Sequence, residues 1–132
     1  METQIYLKGI DQLERNMNKL LKEVTSERTK LLLTQARLVR DAIREKAPLG
    51  ATGNLKASAY ASALPSKIDS PAVAFAGIRP RKAPHAHLVE FGHGGPHPAP
   101  PHPFVRPAWD EMKERVKQDI KEGLKRIIEG AV

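Results

Sequence analysis

An apolar stripe at helical spacing runs through the N-terminal part of the chain and constrains the fold more than any other feature. Its members recur every three or four residues: Ile10, Leu13, Met17, Leu20 or Leu21, Val24, Leu31, Leu32, Ala36, Val39, Ile43 and Ala47. This spacing predicts one amphipathic helix over residues 9–47, which Pro48 ends because proline cannot continue a helix. At 1.5 Å per residue the helix is roughly 55 Å long, more than a compact domain of this size needs. It therefore either breaks near Thr25 and Ser26 or projects and packs against a neighbouring subunit, and we favour projection.

A second helical pattern lies near the C-terminus. It predicts a helix over residues 107–129, with Pro107 in the first turn, where its missing N–H costs nothing, and Gly130 ending it. The stripe that we expect to be buried consists of Trp109, Met112, Val116, Ile120, Leu124, Ile127 and Ile128.

The segment between the helices contains the strand signals. Residues 71–78 alternate in the manner of a strand. Residues 54–64 are rich in Ala and Ser, and their pattern leaves a short helix and an edge strand both open. Residues 85–91 favour a brief helix, because Gly92 suits the left-handed position after a helix end.

Residues 93–106 are dominated by Pro, Gly and His in their first part, which predicts an irregular, extended arm. The pattern as a whole predicts an α+β fold with a long N-terminal helix, a small antiparallel strand region, a proline-rich arm and a C-terminal helix. We expect a single domain over residues 1–132, divided as 9–47, 48–92, 93–106 and 107–129.

The chain carries a formal charge of +7. The excess is divided among the N-terminal, central and C-terminal parts of the sequence, and only Arg79, Arg81 and Lys82 form a tight basic cluster. A dedicated DNA reader concentrates its charge on one face or helix. We therefore expect loose, salt-dependent contact of these three residues with DNA, and keep a small basic nucleic-acid-binding protein as the alternative function.

Candidate catalytic and metal-binding residues do not form a recognised motif. The five histidines (His85, His87, His93, His97 and His102) lie in one short stretch with Glu90, yet no His-Glu-x-x-His helix is present. The serines lack the Gly-x-Ser-x-Gly turn, and the carboxylates show no acid–base pairing. We predict a protein that is not an enzyme and has neither a cofactor nor a metal site.

Targeting signals are also missing from the sequence pattern. Residues 1–6 contain no apolar run of the kind that a secretion signal needs, and no run of about 18 apolar residues predicts a membrane span. The chain has no cysteine. We expect a cytosolic protein that does not enter a membrane.

Two sequence blocks carry a resemblance to a known family. The first is Ala47-Pro48 followed by Thr52-Gly53-Asn54-Leu55-Lys56-x-Ser58. The second is Ala83-Pro84-His85-Ala86-x-x-Val89-Glu90-Phe91-Gly92, followed after a proline-rich loop by Pro103-Phe104-Val105-Arg106-Pro107-Ala108. With these blocks in this order, residues 38–109 resemble the tail-component family of lambda-like and related long-tailed bacteriophages.

The resemblance implies a structural subunit of the phage neck or tail that joins or completes the tail at the head–tail junction. It implies a ring of identical copies, with six-fold symmetry favoured, together with other neck and tail proteins as partners. The protein would be found in the host cytoplasm during assembly and then in the virion. The implied motif and interface residues are Gly53, Asn54, Leu55, Glu90, Phe91, Gly92, Phe104, Arg106 and Pro107.

Two of these roles have alternatives. Glu90 either caps a helix or pairs with Arg106. Phe91 and Phe104 are apolar anchors on either side of the arm, and they either fold the arm back on the core or insert into a neighbouring copy.

Overall fold

Two long helices and a small β-hairpin make up most of the protein. The computed structural model describes residues 8–49, 53–65 and 67–131. Its elements are α1 (Ile10–Lys46), α2 (Asn54–Ala57), β1 (Ala59–Ala63), β2 (Ala74–Ile78), α3 (Ala86–Phe91) and α4 (Val105–Ala131). The predicted α+β class is confirmed: a long N-terminal helix and a C-terminal helix accompany a two-stranded antiparallel sheet.

α1 is one unbroken helix of 37 residues. The predicted alternative of a break near Thr25 is wrong, because the helix continues through this turn, where the Thr25 hydroxyl also donates to the Leu21 carbonyl at 2.7 Å. The N-terminal turns project, as we favoured: from residue 8 to 19 every residue is exposed. Burial begins farther along, and the buried residues from Gln35 to Ile43 face the rest of the protein.

α4 packs antiparallel on the C-terminal two-thirds of α1. At one end Lys46 forms an ion pair with Glu111 at 2.6 Å, and at the other Val24 lies beside Ile127. The helices approach closely at Gly123, where an added Cβ would lie 2.6 Å from Cδ1 of Leu31. A larger residue at this crossing would therefore have to displace the Leu31 side chain.

The titration of Lys46 in the Lys46–Glu111 ion pair affects stability in the alkaline range. The hydrogen bond that Lys46 donates to the Glu111 carboxylate, and then the negative charge of that carboxylate, raise the pKa of Lys46 above its ordinary value of 10.5. A raised pKa in the folded state means that the contribution is fully present below 10.5 and is lost as the pH rises through the folded-state pKa. We therefore expect no change in the stability of the protein from this pair across the neutral range.

The hairpin packs on the same helix as α4. β1 and β2 are antiparallel, with Ala59 opposite Ile78 and Ala63 opposite Ala74. Ala76 and Ile78 pack against the core, whereas Phe75, which points to the other face, is 45% exposed. For residues 54–64 the sequence left a short helix and an edge strand both open. The segment contains one of each, since the short helix α2 is followed by strand β1.

The core is narrow and consists largely of small side chains. Its buried members are Val39, Ala42, Ile43, Ala47, Leu55, Ala59, Ala83, Phe104, Ala108 and Val116. The only large apolar side chains among the described residues that are less than 2% exposed are Phe104 and Ile43. The hairpin and α4 both pack on α1 but leave a groove between them.

α4 differs from the sequence expectation at both ends and along its stripe. It begins at Val105 and extends through Gly130. Met112, Val116 and Ile120 face the core as predicted. Trp109, Leu124 and Ile128 are exposed at 44%, 38% and 59%, so their predicted burial is wrong. Leu124 and Ile128 lie roughly 80° and 120° around the helix from Val116, which turns them away from α1.

Candidate functional site

Glu90 joins α3 to the N-terminus of α4. Its carboxylate accepts hydrogen bonds from the backbone N–H groups of Phe104 at 2.8 Å, Val105 at 3.0 Å and Arg106 at 3.2 Å. These are N–H groups that the first turn of a helix leaves without partners, and a negative charge there also suits the helix dipole. Of the two roles considered for Glu90, this geometry is that of a cap, and its contact with Arg106 is to the backbone. Capping also explains why α4 begins two residues before Pro107.

The two aromatic anchors have opposite environments. Phe104 is 1% exposed and lies in the core, whereas Phe91, the last residue of α3, is 78% exposed. Phe104 therefore holds the end of the arm on its own domain. Phe91 is not buried within a single chain, so its side chain is accessible to a partner.

The predicted arm is a closed loop and is not extended. His93 and Ala99 exchange two backbone hydrogen bonds, at 3.0 and 2.9 Å, and the N–H of His102 donates to the Val89 carbonyl at 2.8 Å. Gly95, with φ of 104°, permits the reversal that the surrounding prolines would not. Both ends of the loop are thus attached to α3 and α4, and its exposed tip is residues 94–98.

Gly92 is the residue at which the loop leaves α3. Its φ of 72° and ψ of 176° lie in a region that is essentially restricted to glycine. A Cβ there would also lie 2.8 Å from the carbonyl oxygen of Ala99 and from the nitrogen of Pro101. Both the torsion angles and the space around the residue therefore exclude a side chain.

We expect Gly92→Ala to lower the free energy of unfolding by about 2 kcal/mol, because backbone strain of this kind costs on the order of 1–3 kcal/mol. Urea denaturation followed by circular dichroism measures it. Gly94→Ala is the matched control, since a Cβ at Gly94 would meet no atom within 4 Å. An equal loss of stability in both variants would contradict the role assigned to Gly92.

The first sequence block forms the turn between α1 and β1. Gly53, with φ of 66°, precedes α2, and Leu55 is buried in the core at 5% exposure. Asn54 is the first residue of α2 and is exposed. Ser58, the last residue of this block, was given no role from the sequence; its hydroxyl is fully buried and donates to the Leu55 carbonyl at 2.7 Å. Thr52 lies outside the described residues.

An apolar groove lies between the hairpin and α4, with α1 as its floor. Its volume is about 900 Å³. Among the apolar residues that line it are Leu32, Val39, Ile43, Val73, Ala76, Ile78, Phe91, Phe104, Trp109, Val116 and Ile120. No sequence pattern predicted this groove, because its walls come from four separate elements.

Gln35 is a polar residue in the wall of the groove. Its side chain is buried, with the residue 5% exposed, and its Oε1 accepts no hydrogen bond from any described residue. A buried polar atom without a partner is costly. The wall of the groove therefore contains a buried acceptor that no described residue satisfies.

The N-terminal turns of α1 form a second apolar surface, which we call the α1 stripe. It comprises Ile10, Leu13, Met17 and Leu21, which are 50%, 59%, 55% and 44% exposed. The stripe continues the face of α1 that α4 covers farther along, where Val24 lies beside Ile127. Over residues 10–21 that face extends beyond the last described turn of α4.

Basic residues from three parts of the sequence meet at the C-terminal end of α1, in a surface that we call the basic pole. It comprises Arg44, Lys56, Arg79, Arg81 and Lys82. The Lys56 ammonium donates to the Arg44 carbonyl at 2.9 Å, and the N–H of Arg79 donates to the Ser58 carbonyl at 2.9 Å. The Arg79 guanidinium lies over the Tyr60 ring at 5.4 Å.

The basic pole extends the predicted cluster. Sequence reasoning found Arg79, Arg81 and Lys82 but missed Arg44 and Lys56, because the charge along the chain is dispersed and only the fold gathers it.

The histidines are all exposed. Within residues 8–49, 53–65 and 67–131, no three His, Asp or Glu side chains come close enough to hold a metal ion. Across the same residues, no helix is both long enough and apolar enough to cross a membrane.

Comparison with known proteins identifies the family. A family model described as "Bacteriophage HK97-gp10, putative tail-component" matches residues 11–92, more than half of the chain. The match includes all of α1 except its first residue, the hairpin, and α3 up to the glycine at which the loop begins. Neither a curated protein nor a solved structure matches the chain. The chain belongs to the HK97-gp10 family of bacteriophage tail components.

Proposed function

We propose that this tail component acts at the head–tail junction, where it joins or completes the tail as a ring of identical subunits. Its role is structural and not catalytic, its other partners are neck and tail proteins, and it moves from the host cytoplasm into the virion. We favour six-fold symmetry because the resemblance implies it.

The observation that carries this proposal is the amount of apolar surface that one copy leaves uncovered. Thirteen large apolar side chains are exposed in the described part of the chain, whereas Phe104 and Ile43 alone are less than 2% exposed there. Contiguous apolar surface of this kind marks protein–protein contact sites. Two such surfaces, the groove and the α1 stripe, lie in separate places, as a subunit with neighbours on two sides requires.

The role at the head–tail junction is tested by deleting the gene for this protein from its phage or prophage. We expect lysates with DNA-filled heads and unattached or malformed tails under the electron microscope, and an infectious titre that falls by orders of magnitude. Expression of the wild-type chain from a plasmid should restore joined particles, and an empty plasmid is the control. Normal infectious particles from the deletion strain would contradict the proposal.

We also infer that the basic pole makes loose contact with DNA in the assembled particle. Five basic side chains at one end of the domain provide positive charge without a recognition motif, which suits non-specific attraction to phosphates. Tight, sequence-selective binding to duplex DNA would instead favour the alternative function of a small nucleic-acid-binding protein.

Neutralisation of the pole gives a measurable salt effect. We expect the triple variant Arg79→Gln, Arg81→Gln, Lys82→Gln to bind duplex DNA more weakly, with the slope of log K against log salt reduced by about 2–3. Fluorescence anisotropy over a salt series measures it. The control variant, Lys22→Gln with Lys121→Gln and Lys125→Gln, removes the same charge from exposed positions elsewhere. An equal reduction in both would show that net charge, and not the pole, attracts DNA.

A further inference from the structure

The α1 stripe and the groove are complementary apolar surfaces of the same chain. The stripe presents four exposed side chains at positions i, i+3, i+7 and i+11 of one helix. Anchors at such spacings are how an amphipathic helix lies in an apolar groove. The groove is concave and open along one side, between the hairpin and α4.

The two surfaces match in length. The part of α1 that lines the groove runs from Leu32 to Ile43, and the stripe runs from Ile10 to Leu21. Each is roughly 16 Å long at 1.5 Å per residue. A helix segment that carries the stripe can therefore cover the whole floor of the groove.

The stripe cannot reach the groove of its own copy. Both lie on α1, which is one unbroken helix, and Leu21 is separated from Leu32 by roughly 16 Å of that helix. Contact between them must join two different copies.

We propose that residues 10–21 of one copy dock in the groove of the next copy. This inference rests on the proposed function, since it names the contact by which the subunits assemble. Each copy gives its stripe to one neighbour and receives a stripe from the other. Such a head-to-tail contact is heterologous, and it produces a ring when the rotation between copies closes.

The buried acceptor in the groove supports a helical occupant with polar flanks. Gln35 Oε1 has no donor among the described residues, and the amide side chain of Asn18 lies on the flank of the same helical segment that carries the stripe. An occupant that is apolar on every side would leave it unpaired.

Cysteine cross-linking tests the contact directly, because the chain has no cysteine of its own. One preparation carries Met17→Cys in the stripe, and the other carries His87→Cys at the exposed edge of the groove. We expect a mixture of the two, under mild oxidation, to give a covalent heterodimer. One chain with both substitutions should give a ladder that ends at the size of the ring. Met17→Cys mixed with Lys125→Cys, an exposed position on the far side of α4, is the control.

Three results would overturn the proposal. The first is a yield of covalent heterodimer from Met17→Cys with His87→Cys that is no higher than the yield from Met17→Cys with Lys125→Cys. The second is a dimer formed by Met17→Cys alone, which would show stripe packed on stripe. The third is a wild-type chain that remains monomeric at millimolar concentration in analytical ultracentrifugation.

Substitution of the stripe gives an independent measurement. We expect Leu13→Gln with Met17→Gln to weaken self-association roughly 100-fold, since each buried apolar side chain is worth about tenfold or more. At low protein concentration the melting temperature of this double variant should match that of the wild type, because both side chains are exposed in a single copy. Lys19→Gln, on the opposite side of the same turns, should leave self-association unchanged.

The two proposals can fail separately. Cross-links that form as expected, with normal tails on the deletion strain, would overturn the junction role and leave the contact standing. A deletion strain without joined tails, together with a groove that cross-links to no second copy, would overturn the contact and leave the junction role standing.

Discussion

Phe104→Ala should lower the free energy of unfolding by about 3–5 kcal/mol, the usual cost of removing a fully buried phenylalanine. Phe104 is 1% exposed and is one of the two large apolar side chains at the centre of a core made mostly of alanine and valine. Small neighbours on rigid helices cannot move inward to fill the space. Because domains of this size are stable by only about 5–15 kcal/mol, the substitution should remove a large fraction of the total stability of the protein.

Phe91→Ala is the matched control for this prediction. Phe91 is 78% exposed, so its removal should change the free energy of unfolding by less than about 0.5 kcal/mol. Urea denaturation of both variants measures the difference. If Phe91 contacts a partner, the same variant should complement the deletion strain poorly although it folds normally. Equal losses of stability in the two variants would show that the core is not centred on Phe104.

Glu90→Ala should lower the free energy of unfolding by about 3 kcal/mol, because it removes a charged cap from a helix N-terminus and leaves buried N–H groups without an acceptor. The carboxylate accepts from three successive N–H groups, and the residue is 9% exposed. α4 supplies a large part of the packing on α1, so fraying of its first turn also loosens Phe104 and Ala108.

Glu90→Gln separates the charge from the shape of the cap. The amide retains one acceptor oxygen but places an N–H₂ group among donors, so we expect a loss of stability between those of the wild type and of Glu90→Ala. Glu114→Gln, on the exposed surface of α4, is the control and should have almost no effect. Hydrogen exchange at the N–H groups of residues 104–106 gives a local readout. Unchanged protection there in Glu90→Ala would contradict the capping role.

The sequence by itself determined the elements of this protein. The three-to-four spacing of Ala36, Val39 and Ile43 required a helix, and the alternation over residues 71–78 required a strand, because each pattern is a local property of the backbone. The resemblance of residues 38–109 likewise indicated the tail-component family. The match of the family model to residues 11–92 shows that family. Local patterns failed where two segments meet. The exposure of Trp109, for example, follows from the groove beside it.

Only the tertiary structure decided which residues are buried, paired or left for a partner. Phe91 and Phe104 are both phenylalanines and lie on either side of one loop, yet Phe91 is exposed and Phe104 is at the centre of the core. Glu90 is a cap because the loop returns to place it at the start of α4, and Lys56 joins Arg79 because the hairpin lies at the end of α1. The physical reason is that burial, hydrogen bonding and charge clustering depend on distances between residues far apart in the chain, whereas periodicity depends only on neighbours.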